Sequence, residues 1–305
     1  MNTAQAAPKS IATGVALSML GAIAFSGKAI IVKLAYRYHV DAVTVIMFRM
    51  LFALPFFLAI VWWTSQPRRG VAVVPLTGKD WWGILGLGVT GYYLASFLDF
   101  AGLQYISASL ERLILYLNPT LVVLMGWGVY GRRVNARQAL GMAISYSGVL
   151  LVFGHEVSLS GSDAPLGAAL VLGSAVAYAV YLVYSGEMVR RLGSLRLVGL
   201  ATSVACVLCI AQFAVLRPVS SAWAVAPEVI WLSVLNATAC TVIPVLLVMM
   251  SIERIGSGLA AQSGMVGPMS TILMGVVILG ESLTGWVVAG TVLVLAGVFV
   301  VTRSR

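Results

Sequence analysis

The chain is short of charge. Of its 305 residues only 10% are Asp, Glu, Lys or Arg, against the roughly 25% of ordinary soluble domains. A soluble fold of this length needs a charged exterior, so its absence leaves a chain whose outside is covered by lipid. Acidic residues are the scarcer kind, 10 against 19 Lys and Arg, for a net charge of +9. That excess would suit nucleic acid if it were massed on one face. Instead it is spread in short clusters between apolar runs, Arg68-Arg69, Arg132-Arg133 and Arg190-Arg191, which excludes a nucleic-acid partner and reads as membrane topology. The 2 histidines, His39 and His155, form no HExxH pair, and no glycine-rich phosphate loop with Lys and Ser/Thr is present. Enzyme chemistry and ATP hydrolysis have nothing to rest on, and no cofactor is expected. The 3 cysteines, Cys206, Cys209 and Cys240, lie inside apolar runs and read as small buried hydrophobes rather than a disulfide or metal set.

What the chain has is apolar length: 60% hydrophobic residues and a mean hydropathy of +1.00. Runs of about 20 residues, each long enough to cross about 30 Å of hydrocarbon as helix, fall near 11–35, 42–64, 81–102, 107–130, 136–154, 165–188, 197–216, 228–250, 256–279 and 284–302. The fold class is therefore an all-α integral membrane protein with ten transmembrane helices. The first run is a retained helix rather than a signal peptide, because Lys28 stands beside the cleavage-like Ser26-Gly-Lys-Ala. Residues 1–10 are expected to be disordered.

The second half copies the first. Pro119, Gly126, Gly131, Gly141 and Gly148 recur as Pro268, Gly275, Gly280, Gly290 and Gly297, each 149 residues on. The same offset carries back to Trp82 and Trp231. The first run resembles the sixth at an offset of 153, as in Gly14/Gly167 and Ala22/Ala175. Two five-helix units result, 11–154 and 165–305, joined by an external linker at 155–164. Five is odd, so the second unit enters the membrane from the opposite side, giving an inverted repeat of the kind secondary transporters use. With the N-terminus cytoplasmic, Lys and Arg outside the spans gather on the inner side, leaving Lys33, Arg37 and Arg217 outside. Both termini are then cytoplasmic. Arg132 on the inner side is matched by Glu281 on the outer, as inversion requires.

These residues bring a resemblance into view. Lys33 in the first span, Arg49 in the second, Tyr105-Ile-Ser-Ala-Ser before the Pro119 span, and Gly280-Glu281-Ser-Leu followed by Gly290 and Gly297-Val298 resemble the EamA-type members of the drug/metabolite transporter superfamily. One departure is Gly131-Arg132-Arg133, where that family usually carries an acidic residue after the glycine. The resemblance implies an inner-membrane secondary transporter that exports a small organic metabolite by alternating access, with amino acids or related zwitterions the leading class. A flippase for a lipid-linked substrate, with a cavity open sideways, and a non-transporting sensor or scaffold, with a dry filled centre, remain the alternatives. Substrate, direction, coupling and oligomeric state are not legible.

Five ionisable residues lie within spans: Lys28, Arg49, Asp99, Glu111 and Arg112. A charge at that depth costs several kcal/mol and needs a partner. One reading makes them a polar cavity for a carboxylate-bearing solute, with Lys28 supplying the positive potential. The other pairs Arg49 and Arg112 with Asp99 and Glu111 as a structural clasp. Asp99 or Glu111 could also couple the cycle to protons. Mid-span Tyr92, Tyr116, Asn118, Tyr181, Asn236 and Gln262 are expected to complete the lining, since polar groups avoid lipid. Pro119, Pro244 and Pro268 would bend their helices where a gate could hinge. The cavity is expected between the units, lined by spans one, three, four, six, eight and nine, with five and ten peripheral.

Overall fold

A computed structural model describes residues 11–66, 74–131, 133–160 and 163–303. The first ten residues, and with them the expected disorder, lie outside the described residues. All regular structure among the described residues is helical. In order these are α1 (Ile11–Tyr36), α2 (Ala42–Thr64), α3 (Gly78–Gly88), α4 (Ala95–Gly102), α5 (Ala108–Leu115), α6 (Asn118–Tyr130), α7 (Ala136–Ser160), α8 (Ala164–Leu192), α9 (Ser194–Leu216), α10 (Pro227–Ala237), α11 (Ile243–Ser263), α12 (Gly267–Met274) and α13 (Gly285–Arg303). Several join end to end, so the described residues hold 9 helices long and apolar enough to cross a membrane, with Gly264–Leu279 a shorter apolar helix. The chain is a multi-pass membrane protein.

The count departs from ten continuous spans for a local reason. The run expected at 256–279 opens on Gly256, whose φ of 78° and ψ of 161° break α11. It is interrupted again by a 3₁₀ turn at Gly264–Val266 just before Pro268. Its counterpart in the first half is interrupted at the same place, between Leu115 and Asn118, and Pro119 likewise opens the next helix. A proline at the first turn of a helix has no amide to lose, which is why the breaks fall there. Pro244 follows a π-helical stretch at Thr238–Val242, and the matching stretch in the first half is Val89–Leu94. Gly131 and Gly280 both end their helices in the left-handed region, at φ 61° and 74°. Each pair is 149 residues apart, so the sequence copy is also a copy of backbone irregularities.

The linker expected over 155–164 is mostly helix, since α7 runs to Ser160 and α8 begins at Ala164. Glu156 holds this last stretch by accepting from the Ser107 hydroxyl at 2.7 Å and from the Ser107 amide.

Packing pairs the two halves crosswise. A Cβ on Gly141 would stand 2.8 Å from the Gly297 carbonyl, and one on Gly148 would stand 2.6 Å from the Gly290 carbonyl. Rising numbers on α7 thus meet falling numbers on α13, and the two helices run antiparallel in glycine-mediated contact. Near the ends of α4 and α8, Gly102 presses on Gly167. The equivalent residues on the other side, Ser251 and Gly14, are joined by a 2.7 Å hydrogen bond from the Ser251 hydroxyl to the Gly14 carbonyl.

Candidate functional site

A cavity of about 270 Å³ lies inside the bundle. Its charged wall is Lys28 from α1, Arg49 from α2, Asp99 from α4 and Arg112 from α5. Tyr92, Tyr116, Asn118, Ser174, Tyr178, Thr202 and Thr241 add polar groups, and Phe25, Met50 and Phe57 add apolar ones. Spans two and seven therefore contribute Arg49 and Thr202, which the expected lining omitted, and among the described residues none of span nine lines it. The repeat contained the missing signal. Thr241 is Tyr92 displaced by 149, while Thr202 and Tyr178 are Arg49 and Phe25 displaced by 153.

The expected charge pairing is reversed. Lys28 Nζ sits 2.5 Å from Asp99 Oδ2 and 3.5 Å from Glu111 Oε1. Neither arginine forms the anticipated clasp: among the described residues no carboxylate lies within ion-pair distance of Arg49 or Arg112. Lys28 reaches Asp99 across α1 and α4, and about two turns further along α1 Tyr36 donates to the Phe100 carbonyl at 2.6 Å.

Arg49 is held without being neutralised. Its Nε donates to Thr241 Oγ1 at 3.0 Å, and that hydroxyl donates to the Asn236 carbonyl at 2.8 Å. The π-helical turn at 238–242 widens the backbone so that a side chain can reach the carbonyl five residues back. The guanidinium also lies 5.1 Å from the Phe100 ring centroid, while its Nη1 has no hydrogen-bond partner. Arg112 donates to Ser26 Oγ at 3.3 Å, lies 5.7 Å from the Phe25 ring centroid and leaves Nε unpartnered. Asn118 spends its amide nitrogen on the Leu115 carbonyl at 2.6 Å, and its Oδ1 has no partner.

The other expected site residues take different places. Glu111 is fully buried and is not part of the cavity wall. Tyr181 is buried behind the wall, its hydroxyl 3.3 Å from that of Tyr92 and its ring stacked on Tyr178. Gly91 allows this approach, since a Cβ there would lie 2.5 Å from the Tyr181 ring. Asn236 is fully buried and reaches the cavity only through its carbonyl and Thr241. The side chain of Gln262 lies outside the described residues.

The two ends of the bundle differ. A groove of about 750 Å³ runs along α6 and α8, from Val122 and Leu182 to Arg133, Glu187 and Arg190 at its mouth. Its walls are the turns that follow Asn118 and Tyr178. At the opposite end the first turn of α5 is clamped. Glu281 accepts from the Ala108 amide at 2.7 Å and from the Ser109 amide and hydroxyl at 3.2 and 2.7 Å, while Glu156 holds Ser107. Carboxylates suit a helix N-terminus, where free amides and the helix dipole are positive. Lys33 donates to the Ile106 carbonyl at 2.6 Å, and Arg37 to that of Leu279 at 3.1 Å. Leu103 and Ile106 are buried beneath this lattice.

Charge-assisted hydrogen bonds contribute about 1.5–3 kcal/mol each, so Glu281→Ala should loosen this end. A thiol-reactive reagent should then label a Leu103→Cys reporter about tenfold faster than without the substitution. Unchanged labelling would mean that Glu281 is not a latch.

The sequence matches the EamA-like transporter family over residues 12–154 and again over 165–303. The chain belongs to that family. It is 31% identical over 284 residues to the uncharacterized transporter YcbK of Bacillus subtilis, covering 89% of this chain and 87% of that one. An uncharacterized transporter of Archaeoglobus fulgidus is 23% identical over 291 residues, 95% of this chain and 96% of its own. A protein of known crystal structure superposes with a TM-score of 0.65 over 97% of this chain and 98% of its own, at 20% identity, and shares the fold. Membership of this family, which is consistent with the drug/metabolite transporter superfamily, and relatives named as transporters point to a membrane transporter rather than an enzyme.

Proposed function

We propose that this EamA protein is a secondary transporter that exports a small carboxylate-bearing metabolite, an amino acid or related zwitterion, across the inner membrane. The observation that carries the reading is the pair of guanidiniums in the cavity wall, Arg49 and Arg112, each with an unpartnered nitrogen and, among the described residues, no carboxylate within ion-pair distance. Arginine presents donors in a planar fork that matches a carboxylate. A cavity of about 270 Å³ lies just below the ~300–1,000 Å³ usual for small-molecule sites, which favours a solute of amino-acid size.

Alternating access follows from an inverted repeat of ten helices, counting 257–279 as the counterpart of 108–130. The crosswise contacts support it. When Gly141 meets Gly297 and Gly148 meets Gly290, each residue touches the other's copy, as a two-fold axis demands. The contact is antiparallel, so the axis lies across the helices and hence in the membrane plane. With both termini cytoplasmic, the groove between α6 and α8 opens inward and the Glu156 and Glu281 clamp closes the outer end. This is the conformation that loads a solute for export.

Counterflow in proteoliposomes with amino acids, nucleosides and cationic dyes tests the reading. Carboxylate-bearing solutes should exchange and the others should not. Exchange confined to nucleosides or dyes would refute the carboxylate assignment, and no exchange of any solute would favour a flippase or a sensor.

A further inference from the structure

Behind the cavity wall two carboxylates share one cation. Asp99 and Glu111 are 1% and 0% exposed, and both approach Lys28 Nζ. Held on one ammonium at 2.5 and 3.5 Å, the two carboxylates are near neighbours. The lysine satisfies Asp99 Oδ2, leaving Asp99 Oδ1 and both Glu111 oxygens without a partner. Two ionised carboxylates this close in a water-poor site repel strongly, and one lysine cannot neutralise both.

The surrounding charges do not remove the conflict. Facing Glu111 are Lys28 from α1, Asp99 from α4 and Arg112 on its own helix, with Lys33 further along α1. Lys33 is committed to the Ile106 carbonyl and Arg112 to Ser26. Helix α12, packed on α5, carries no titratable residue. Helix α8, whose Ala164, Ala168 and Val171 pack with α5, carries no charged residue before Glu187, and α13 carries its only charge, Arg303, at its far end. Glu156 on α7 and Glu281 before α13 are engaged with the α5 N-terminus.

We propose that Lys28, Asp99 and Glu111 form a proton-binding site in which the proton resides on Glu111 and is exchanged with the cavity through Asp99. A proton from cavity water forms an O–H bond on a Glu111 oxygen, and that hydroxyl donates to Asp99 Oδ1. Two unpartnered oxygens are satisfied by one proton. Lys28 and Asp99 line the cavity while Glu111 does not, so Asp99 is the gate through which the proton passes.

A consequence for transport rests on the carboxylate-solute reading. With the proton bound, the cluster is neutral and the cavity keeps the two arginine charges. With it released, the cluster carries one negative charge that offsets one of them. Proton and anionic solute therefore favour each other's binding, and by reciprocity the anion draws a proton in.

Infrared difference spectroscopy on the full chain in lipid, stepped between about pH 5 and about pH 9, tests the proton site. Wild type should show a protonated-carboxyl C=O band that titrates in this window, Glu111→Gln should lose it, and Glu281→Gln should keep it. Should Glu111→Gln fail to fold, Glu111→Asp keeps a carboxyl on a shorter arm and should shift the band's frequency or midpoint. No titrating band in wild type, a band untouched by Glu111→Gln, or one unmoved by Glu111→Asp would overturn the proposal. No solute is added, so a transport panel that fails leaves this result standing on its own.

Discussion

Lys28→Met should destabilise the folded protein by about 3–5 kcal/mol, the cost of leaving a buried ionised partner alone. Lys28 and Asp99 are almost entirely shielded from solvent, so neither charge can recover hydration by a small shift. Methionine matches the length of the lysine stem and leaves little cavity, so the loss is electrostatic. The double variant Lys28→Met with Asp99→Asn should regain most of it, because the asparagine can remain neutral. Denaturant unfolding in detergent, on the two variants beside wild type, reads both values. A single variant as stable as wild type would show that Lys28 carries no structural ion pair and would return it to the role of free cation.

Gly297→Val should be at least as damaging. A Cβ there would lie 2.3 Å from Ser145 Oγ and 2.4 Å from the Gly141 carbonyl, and 2.6 Å from the Ser145 amide nitrogen. Two of these atoms are backbone, so relief requires α7 and α13 to separate rather than a side chain to turn. Overpacking of this kind costs about 1–3 kcal/mol where neighbours can move and more where they cannot. Here it also breaks the contact that joins the last helix of each unit. Gly128→Ala is the control, since nothing stands within 4 Å of its Cβ position. Thermal melting should separate the two clearly, and equal melting temperatures would remove the glycine seam from the account.

The repeat and the apolar runs were legible because both are patterns along one chain. The 149-residue offset paired Pro119 with Pro268 and Gly131 with Gly280 along the chain, but that those glycines are left-handed and that π-helical turns recur at the same offset came only with the structure. The repeat also held more of the cavity than was taken from it: Tyr92 points to Thr241 at the offset of 149, and Arg49 points to Thr202 at the offset of 153. The partner of Lys28 was not legible. Asp99 stands 71 positions away, and nothing along the chain shows that Arg49 turns to Thr241 while Lys28 reaches the carboxylate. Span nine was legible as an apolar run, but the length of such a run does not reveal the glycine break at its start or the 3₁₀ turn within it. Asn236 illustrates the remaining error: a polar residue in mid-span avoids lipid, but it can do so by burial against the protein as well as by facing a cavity.

The most direct test of carboxylate recognition is counterflow of one amino acid and of its methyl ester, in vesicles holding wild type or Arg112→Gln. Wild type should exchange the acid and reject the ester, and Arg112→Gln should lose most of that discrimination while melting close to wild type. Equal exchange of acid and ester by wild type, or a preference that survives Arg112→Gln intact, would contradict a site built on an unpaired guanidinium.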